Sequence, residues 1–267
     1  MKLLRTVILA FGVAASVLPF VWLLSTSLKG AEELFAFPPV LIPSVIIWEN
    51  YSGLWNAVPM AAYFVNSIIV TGISVAGSLL FCSMAGFALA RYRFKYRQVF
   101  LVMIIAAMMI PKEVIILPLF TIVLKLGLAD SLAGVILPFI VDAMGIFMMR
   151  QAFLSIPAEI EEAGIMDGAS PFVLWWRVMM PMTKPMMATL AIFTFIAQWG
   201  DFLWPLVVLK SPEQFTLQVG LSYLTGTFVD NFRYVAAGGI ISIIPVVIVF
   251  VAMQRYFERG LFSGSGK

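Results

Sequence analysis

The chain has 267 residues, of which 62% are hydrophobic and 12% are charged. Soluble domains carry roughly one quarter charged residues, so this composition is typical of a polytopic membrane protein. The formal net charge is +3, but the basic residues lie between apolar segments instead of on one wetted face, which excludes nucleic-acid binding. Without histidine and with one cysteine, Cys82, the chain has no histidine acid-base chemistry, Cys/His metal site or internal disulfide.

Apolar segments long enough to cross a bilayer recur along the whole chain. A hydrocarbon core of about 30 Å requires roughly 20 residues of helix. Six such segments predict an all-α membrane protein with six transmembrane helices in a single domain, residues 1–267. The segments are residues 6–28, 66–90, 99–124, 132–154, 186–209 and 235–257.

The first segment also has features of a secretory signal peptide, because Lys2 and Arg5 precede an apolar run. A signal peptide has a short apolar core followed by a small-residue cleavage site. Here the apolar residues 17–24 continue past the weak cleavage candidate at residues 14–16. We therefore interpret this segment as a retained transmembrane helix.

Basic residues are distributed unevenly between the two sides that six spans define. With a cytoplasmic N-terminus, the inner side carries twelve of the 17, at positions 2, 5, 91, 93, 95, 97, 150, 177, 184, 255, 259 and 267. Cytoplasmic loops hold the excess of lysine and arginine in membrane proteins. The pattern predicts a multi-pass protein of the cell (inner) membrane with both termini in the cytoplasm, and it puts residues 155–185 on the same side.

Residues 155–185, between the fourth and fifth predicted spans, form a polar island in the apolar sequence. Ser155 favours the start of a short helix, and Gly168 favours its end because glycine readily adopts the left-handed conformation. Ser170 followed by proline predicts the start of a second helix. Large apolar residues on this second helix are Phe172, Trp175, Trp176 and Met179. We predict two short helices joined at a glycine corner, with an apolar surface that requires cover.

This segment resembles the EAA motif of ATP-binding-cassette (ABC) importer permeases. In that motif Glu-Ala-Ala is followed after three residues by glycine and, nine residues later, by Ile-x-Leu-Pro. Glu162-Ala163 and Gly168 match the first part. The last positions are Val178, Met180 and Pro181. Gly164, Val178 and Met180 depart from the motif but stay small or apolar. Residues 66–67, 88–91, 167–170, 199–206 and 259–261 are similar to the carbohydrate-uptake (maltose-type) branch, although Gly200 replaces a common asparagine.

The resemblance implies that residues 155–185 form a coupling loop that docks in a cleft of a cytoplasmic ATPase subunit. The residues it assigns to coupling are Glu161, Glu162, Ala163, Gly164, Asp167, Gly168, Ala169, Ser170 and Pro181. It also implies a sister permease in a heterodimer, two ATPase subunits and an extracytoplasmic solute-binding protein. ATP and Mg would be bound by the ATPase, because this chain has no glycine-rich loop ending in Gly-Lys-Ser/Thr. The alternative is a loop that packs only against its own helices.

Several polar residues lie within the predicted spans, where ionisable groups are costly and usually face a bundle interior or a wet cavity. The candidates for a translocation pathway are Asn66, Lys112, Glu113, Asp142, Gln198, Trp199 and Asp201. Pro111 predicts a break in the third span. Asp142 is one candidate partner for Lys112, and a charge pair that locks the bundle is the alternative to solute contact.

The sequence therefore predicts a permease subunit of an ABC importer for sugars or oligosaccharides, which is not itself an enzyme and carries no cofactor. A phosphorylated polyol such as glycerol phosphate is the alternative solute, and it would call for more basic pathway residues than Lys112. An ion-gradient-driven secondary transporter is the alternative from another class. Such proteins usually show inverted repeats with paired broken helices, whereas the sequence indicates one clear break.

Overall fold

The computed structural model describes residues 2–227 and 232–263, so the predicted cytoplasmic residue Lys267 lies outside it. The described residues form helices, turns and irregular segments with no strand. The chain divides into two compact units, Met1–Phe64 with Phe215–Val247, and Val65–Gln214 with Ile248–Lys267. Two of the three boundaries fall within helices. The single transmembrane domain expected from the sequence stays a prediction.

The helices are numbered in chain order. They are α1 (Lys2–Ser27), α2 (Ala31–Leu34), α3 (Glu49–Ala57), α4 (Met60–Arg91), α5 (Arg97–Met108), α6 (Lys112–Lys125), α7 (Leu132–Ile136), α8 (Ala143–Leu154), α9 (Ala158–Met166), α10 (Pro171–Val173), α11 (Met180–Met182), α12 (Lys184–Trp199), α13 (Leu203–Val208), α14 (Leu217–Thr227) and α15 (Phe232–Ser263). A 3-10 turn, Leu137–Phe139, continues α7, and another covers Pro212–Gln214. A π-helical turn, Leu174–Met179, joins α10 to α11.

The described residues provide between three and six candidate membrane spans. Three helices are long and apolar enough alone: Leu4–Ser27, Met60–Arg91 and Phe232–Gln254. Three bent pairs qualify together: Arg97–Met108 with Lys112–Lys125 (108°), Leu132–Phe139 with Ala143–Leu154 (44°), and Pro171–Met182 with Lys184–Trp199 (83°). The count of six spans stays a prediction.

Helix breaks are more frequent than the sequence indicates. The break at Pro111 is confirmed, because α5 ends at Met108 and α6 begins at Lys112. The expectation of one break is wrong, since residues 140–142 interrupt the fourth predicted span and residues 200–202 interrupt the fifth. Neither break contains a proline, although Pro138 lies in the 3-10 turn just before the first. At the first of them Asp142 starts a new helix by accepting a hydrogen bond from the N–H of Gly145 at 3.2 Å, as an N-cap does.

In the first unit, the chain after α1 is held by buried polar groups. The amide of Asn50 donates to the carbonyl oxygens of Ser27 and Lys29, both at 2.9 Å. Lys29 is 2% exposed, its ammonium lies 4.4 Å from the Trp22 ring centroid, and it donates to the carbonyl of Val40. These bonds satisfy groups that would otherwise be costly to bury.

In the second unit, α4 packs closely against α8 and the residues that follow it. The buried core is Cys82, Phe87, Ala90, Met149, Phe153, Ile156, Leu174, Trp175, Met179, Met180 and Leu190. A Cβ added at Gly86 would lie 2.8 Å from the backbone nitrogen of Arg150. Glycine is therefore needed for the two backbones to approach, as small residues commonly are between membrane helices.

Candidate functional site

Residues 155–185, for which the sequence predicts a coupling role and which we call the coupling segment for that reason, fold around a glycine corner as predicted. The N–H of Asp167 still bonds the carbonyl of Ala163 at 3.0 Å, and Gly168 then takes a φ of +79°. A Cβ at Gly168 would meet nothing within 4 Å, so glycine is favoured by the backbone conformation alone. Ser170 caps α10 by accepting a hydrogen bond from the N–H of Val173 at 3.4 Å.

One local expectation for the start of this segment is wrong. Ser155 does not cap α9. It is the C-cap of α8, and its hydroxyl donates to the carbonyl of Ala152 at 2.8 Å. Pro157 occupies the N-cap position of α9, where its fixed φ suits the entry to a helix.

The apolar residues after the corner are divided between the core and the surface. Trp175 and Met179 are buried within the second unit, so this part of the predicted exposed surface is covered by the chain itself. Phe172 and Trp176 are 63% and 48% exposed, and Met166 at the end of α9 is 87% exposed. The coupling segment therefore has an internal face and an uncovered apolar face.

The other predicted coupling residues lie on both faces. Ala163, Asp167 and Pro181 are exposed, as is Glu162. Gly164 is buried, and a Cβ there would lie 2.9 Å from Cδ1 of Leu174. The departure from alanine at this position thus lets α9 lie close to the π-helical turn.

Glu161 makes an internal ion pair. Its carboxylate lies 3.3 Å from the guanidinium of Arg91, and the side chain is 19% exposed. The same guanidinium donates to the carbonyls of Phe153 at 2.5 Å and Ile156 at 2.6 Å. Burial raises the pKa of the neighbouring Tyr92 phenol, and the Glu161 carboxylate raises that pKa further. Arg91 thereby joins the ends of α4 and α8 to α9.

Two adjoining cavities in the second unit gather five of the seven predicted pathway residues. The larger, about 250 Å³, is lined by Lys112, Phe139, Asp142, Met144, Gly145, Met148, Leu190, Phe193, Thr194, Ala197 and Gln198. The smaller, about 150 Å³, is lined by Lys112, Glu113, Ile116, Phe139, Ala197, Gln198, Asp201, Leu203 and Trp204. They share Lys112, Phe139, Ala197 and Gln198, and we call them the paired cavities.

Three of the four charged groups of the paired cavities make local contacts, and none of the four forms an ion pair with another. The Lys112 ammonium lies 4.9 Å from the centroid of the Phe139 ring, a cation–π distance. Asp142 caps α8 with one carboxylate oxygen, and Asp201 accepts a hydrogen bond from the N–H of Trp204 at 3.4 Å. No ion pair joins Lys112 to Asp142. Among the described residues, the salt bridge found is the one between Arg91 and Glu161.

The two remaining pathway candidates do not line the paired cavities. The amide of Asn66 donates to the carbonyl of Glu213 at 2.9 Å, so it ties the start of α4 to a later turn. Trp199 is 3% exposed and stacks on Phe195 with ring centroids 5.8 Å apart. The pathway role of both residues stays a prediction.

Sequence reasoning missed several residues that form this site. Phe139 and Phe193 supply aromatic surface, and Thr194 supplies a hydroxyl. Phe139 follows a proline in a 3-10 turn, a local irregularity that was available as a signal in Leu137-Pro138. Arg91 was predicted to help set orientation and to belong to the family-like residues 88–91, but its carbonyl contacts could not be read from the sequence.

Comparison with known proteins identifies the family. Residues 82–263 match the family model described as binding-protein-dependent transport system inner membrane component. The chain is 38% identical to the arabinooligosaccharides transport system permease protein AraQ of Bacillus subtilis, over 93% of this chain and 90% of that protein. It is 31% identical to the sn-glycerol-3-phosphate transport system permease protein UgpE of Escherichia coli, over 95% and 93%.

A solved structure also places the chain among ABC importer permeases. The fold matches a chain in the crystal structure of a bacterial ABC transporter involved in the import of the acidic polysaccharide alginate, with a TM-score of 0.87, 28% identity and 96% of each chain covered. Permeases of this family are multi-pass membrane proteins, are not enzymes themselves, and work with ATPase subunits and a solute-binding protein. The resemblance inferred from the EAA-like residues is therefore confirmed, and the chain belongs to the family of binding-protein-dependent inner membrane components as an ABC importer permease.

Proposed function

We propose that this permease carries a neutral sugar or oligosaccharide through a route that includes the paired cavities, and that the coupling segment transmits ATPase closure to that route. The observation that carries the proposal is the gathering of Lys112, Glu113, Asp142, Gln198 and Asp201 around adjoining cavities. Ionisable groups at such positions usually mark a substrate path or a wet cavity.

The chemistry of the larger cavity suits a sugar. Phe139 and Phe193 offer aromatic surface, while Thr194 and Gln198 offer hydrogen-bonding groups. Solute sites typically combine an apolar lining with a few polar groups that fix orientation. A second permease subunit would complete the route, because the lining of the cavities comes from one side only when this chain stands alone.

The charge balance favours a neutral solute over an anion. The paired cavities contain one basic residue, Lys112, and three acidic residues, Glu113, Asp142 and Asp201. An acidic lining repels a phosphate or a uronate. This lining supports a solute like that of the arabinooligosaccharide relative over those of the glycerol-phosphate and alginate relatives.

The coupling role rests on the uncovered face of the segment. Phe172, Trp176 and Met166 are exposed beside the acidic residue Glu162, and an apolar patch rimmed by polar groups is typical of an interface. We place this face in the cytoplasm, against one of two ATPase subunits that bind ATP and Mg, with both termini on the same side. The basic residues at positions 91–97 support that orientation. A heterodimer with a sister permease and delivery by an extracytoplasmic binding protein complete the proposed importer.

The test is uptake by the reconstituted importer in proteoliposomes. Three probes are compared at equal concentration: arabinooligosaccharide, alginate oligosaccharide and glycerol 3-phosphate. We expect uptake of the neutral probe that requires ATP and survives an ionophore. Uptake driven by an ion gradient without ATP would overturn the ABC mechanism for this complex. Preferred uptake of glycerol 3-phosphate or alginate oligosaccharide would overturn the neutral-solute assignment.

A further inference from the structure

Three arginines lie at the junction of α4, α5 and α8, and they bind carbonyl groups in two different ways. Arg97 donates to the carbonyls of Leu89 at 2.9 Å and Ala90 at 3.3 Å, and Arg150 donates to that of Leu89 at 3.3 Å. These two arginines therefore cap the last turn of α4, where cations interact favourably with unsatisfied carbonyls.

Arg91 makes a different set of contacts, because it reaches away from its own helix. Its guanidinium bonds the carbonyls of Phe153 and Ile156 and pairs with Glu161 on α9. Its side chain is 9% exposed. The planar guanidinium has several donors at fixed angles, so it can hold two carbonyls and a carboxylate together. The contacts tie three elements into one joint at the base of the coupling segment.

From this joint, α4 continues to the wall of the larger cavity. Ser78 accepts a hydrogen bond from the hydroxyl of Thr194 at 3.4 Å. Cys82 Sγ lies 3.6 Å from the carbonyl oxygen of Asp142. A Cβ added at Gly145 would lie 2.9 Å from the same sulfur. Thr194, Asp142 and Gly145 all line the cavity. At 1.5 Å per residue, the distance along α4 from Arg91 to Ser78 is about 20 Å.

We infer that Arg91 is a positioning residue that transmits displacement of α9 to α4, and that Glu161 is the internal end of this link instead of an ATPase contact. The inference rests on the proposed function, since it names the path by which the coupling segment acts on the cavity. A shift of α9 alone would separate the Glu161 carboxylate from the Arg91 guanidinium, and breaking a partly buried ion pair is costly. Movement of α9, α4 and the end of α8 together keeps the pair intact.

The experiment compares Arg91→Gln with Arg97→Gln in the reconstituted importer. Both changes remove an arginine that binds carbonyls at this junction, but only the first removes the bond to α9. Met144→Cys lines the larger cavity outside the contacts that join it to α4, and in a Cys82→Ser background, which keeps a donor toward Asp142, its reaction rate with a small aqueous thiol reagent reports on the cavity. Solute taken up per ATP hydrolysed is measured alongside.

With Arg91 in place, ATP should change the labelling rate at position 144. Arg91→Gln should reduce this change and the uptake per ATP by at least about fivefold, the lower range of typical coupling, while the ATPase subunits still co-purify. Arg97→Gln should keep both the ATP-dependent change in labelling rate and the uptake per ATP.

Two further variants sharpen the comparison. Arg91→Lys keeps the charge and should restore part of the coupling. Glu161→Gln leaves the carbonyl bonds in place and should reproduce most of the loss, which provides a test if Arg91→Gln fails to fold.

Two results would overturn the inference. Normal ATP response in both Arg91→Gln and Glu161→Gln would show that the link carries no coupling. If Arg97→Gln loses as much uptake per ATP as Arg91→Gln does, Arg91 only maintains the structure of the junction. Either result leaves the proposed function intact, because that proposal fails on a different observation, namely the absence of ATP-dependent uptake in the unaltered importer.

Discussion

Charged side chains form an ion pair at the Arg91 junction but none in the paired cavities. At the junction, Arg91 and Glu161 pair with each other, and the arginine also binds two carbonyls. In the cavities, Lys112 lies against an aromatic ring and Glu113, Asp142 and Asp201 line the same space without an ion pair to it. Both regions belong to the second unit.

This difference suits the Arg91 junction to transmitting movement and the paired cavities to passing solute. A closed set of charge-assisted bonds fixes the relative position of helices, which suits a part that transmits force. The cavity charges are not closed into ion pairs, so they keep hydrogen-bonding capacity for water or a passing solute. The predictions below test this division, beginning with the change of largest expected effect.

Gly168→Val should abolish coupled transport. Valine in the left-handed conformation costs roughly 1–2 kcal/mol, so the corner between α9 and α10 would shift and misplace the exposed face. Uptake and solute-stimulated ATP hydrolysis in the reconstituted complex should each fall by more than about tenfold, the factor that corresponds to 1.4 kcal/mol. Membrane insertion should be retained.

Gly127→Val is the matched control for that change. Gly127 also has a positive φ, +69°, and like Gly168 a Cβ there would meet nothing within 4 Å. The backbone penalty is therefore the same, but the position lies in the turn after α6, away from the coupling segment. Uptake close to the parent value is expected for Gly127→Val, and equal loss in both variants would remove the special role of the segment.

Glu162→Lys should weaken attachment of the ATPase several-fold, because it reverses an exposed charge next to the apolar face of the segment. The effect should be largest at low ionic strength, where screening is least. Retention of ATPase subunits is measured by co-purification over a salt series. Glu213→Lys, an exposed acidic residue outside the segment, serves as the control. Retention that does not respond to Glu162→Lys at any salt concentration would make Glu162 a solvated surface residue.

Two substitutions of Asp142 separate its capping role from its proposed pathway role. Asp142→Ala removes the N-cap of α8 and should lower stability by about 1 kcal/mol. Asp142→Asn keeps an oxygen for the N–H of Gly145 but removes the charge, so the thermal midpoint should stay near that of the parent. Uptake should nevertheless fall several-fold in Asp142→Asn. Unchanged uptake with unchanged stability would leave Asp142 as a helix cap alone.

Asp130 provides a carboxylate that is fully bonded, and its removal should have the smallest effect. Hydrogen bonds from the Ser211 hydroxyl, the Ser211 N–H and the Lys210 N–H lower the pKa of Asp130 below its usual 3.8. A lowered pKa stabilises the folded state above the unfolded pKa, and this contribution is lost as pH falls through the folded value.

The measurement is the thermal midpoint of parent and Asp130→Asn as a function of pH. Asparagine also tolerates the positive φ of 56° at this position, so backbone strain does not confuse the comparison. A difference that is constant between pH 7 and 5 and shrinks below about pH 3.8 is expected. A difference that grows on acidification would contradict the assigned bonding.

The sequence predicted the parts of this molecule that depend on local chemistry. The glycine corner, the Ser170 cap and the break at Pro111 follow from the backbone preferences of single residues. The break at residues 140–142 has no proline and depends on Asp142 finding the N–H of Gly145, which the apolar pattern did not indicate. The division of Trp175 and Trp176 between core and surface depends on the π-helical turn, which changes the face each side chain takes.

The long-range contacts were beyond sequence reasoning for a related reason. Arg91 and Ile156 are 65 positions apart, and hydrophobic periodicity carries no information on which carbonyls a given arginine will reach. The cavity was anticipated through the cost of placing Lys112 and Asp142 within predicted spans, but Phe139 and Thr194 raise no such cost. Asn66 was proposed by resemblance and Trp199 for its aromatic face, and their contacts with Glu213 and Phe195 could not be read from the sequence.

The most direct test of the account measures the two regions together. Cysteine is placed at position 112 or 113 in a Cys82→Ala background, and its reaction rate with a small aqueous thiol reagent is followed with and without ATP in the full importer. We predict labelling at one or both positions, a rate that changes when ATP closes the ATPase pair, and loss of that change on adding Gly168→Val. A complex that still transports solute, yet shows no labelling at either position in any state, would contradict the assignment of the paired cavities to the pathway.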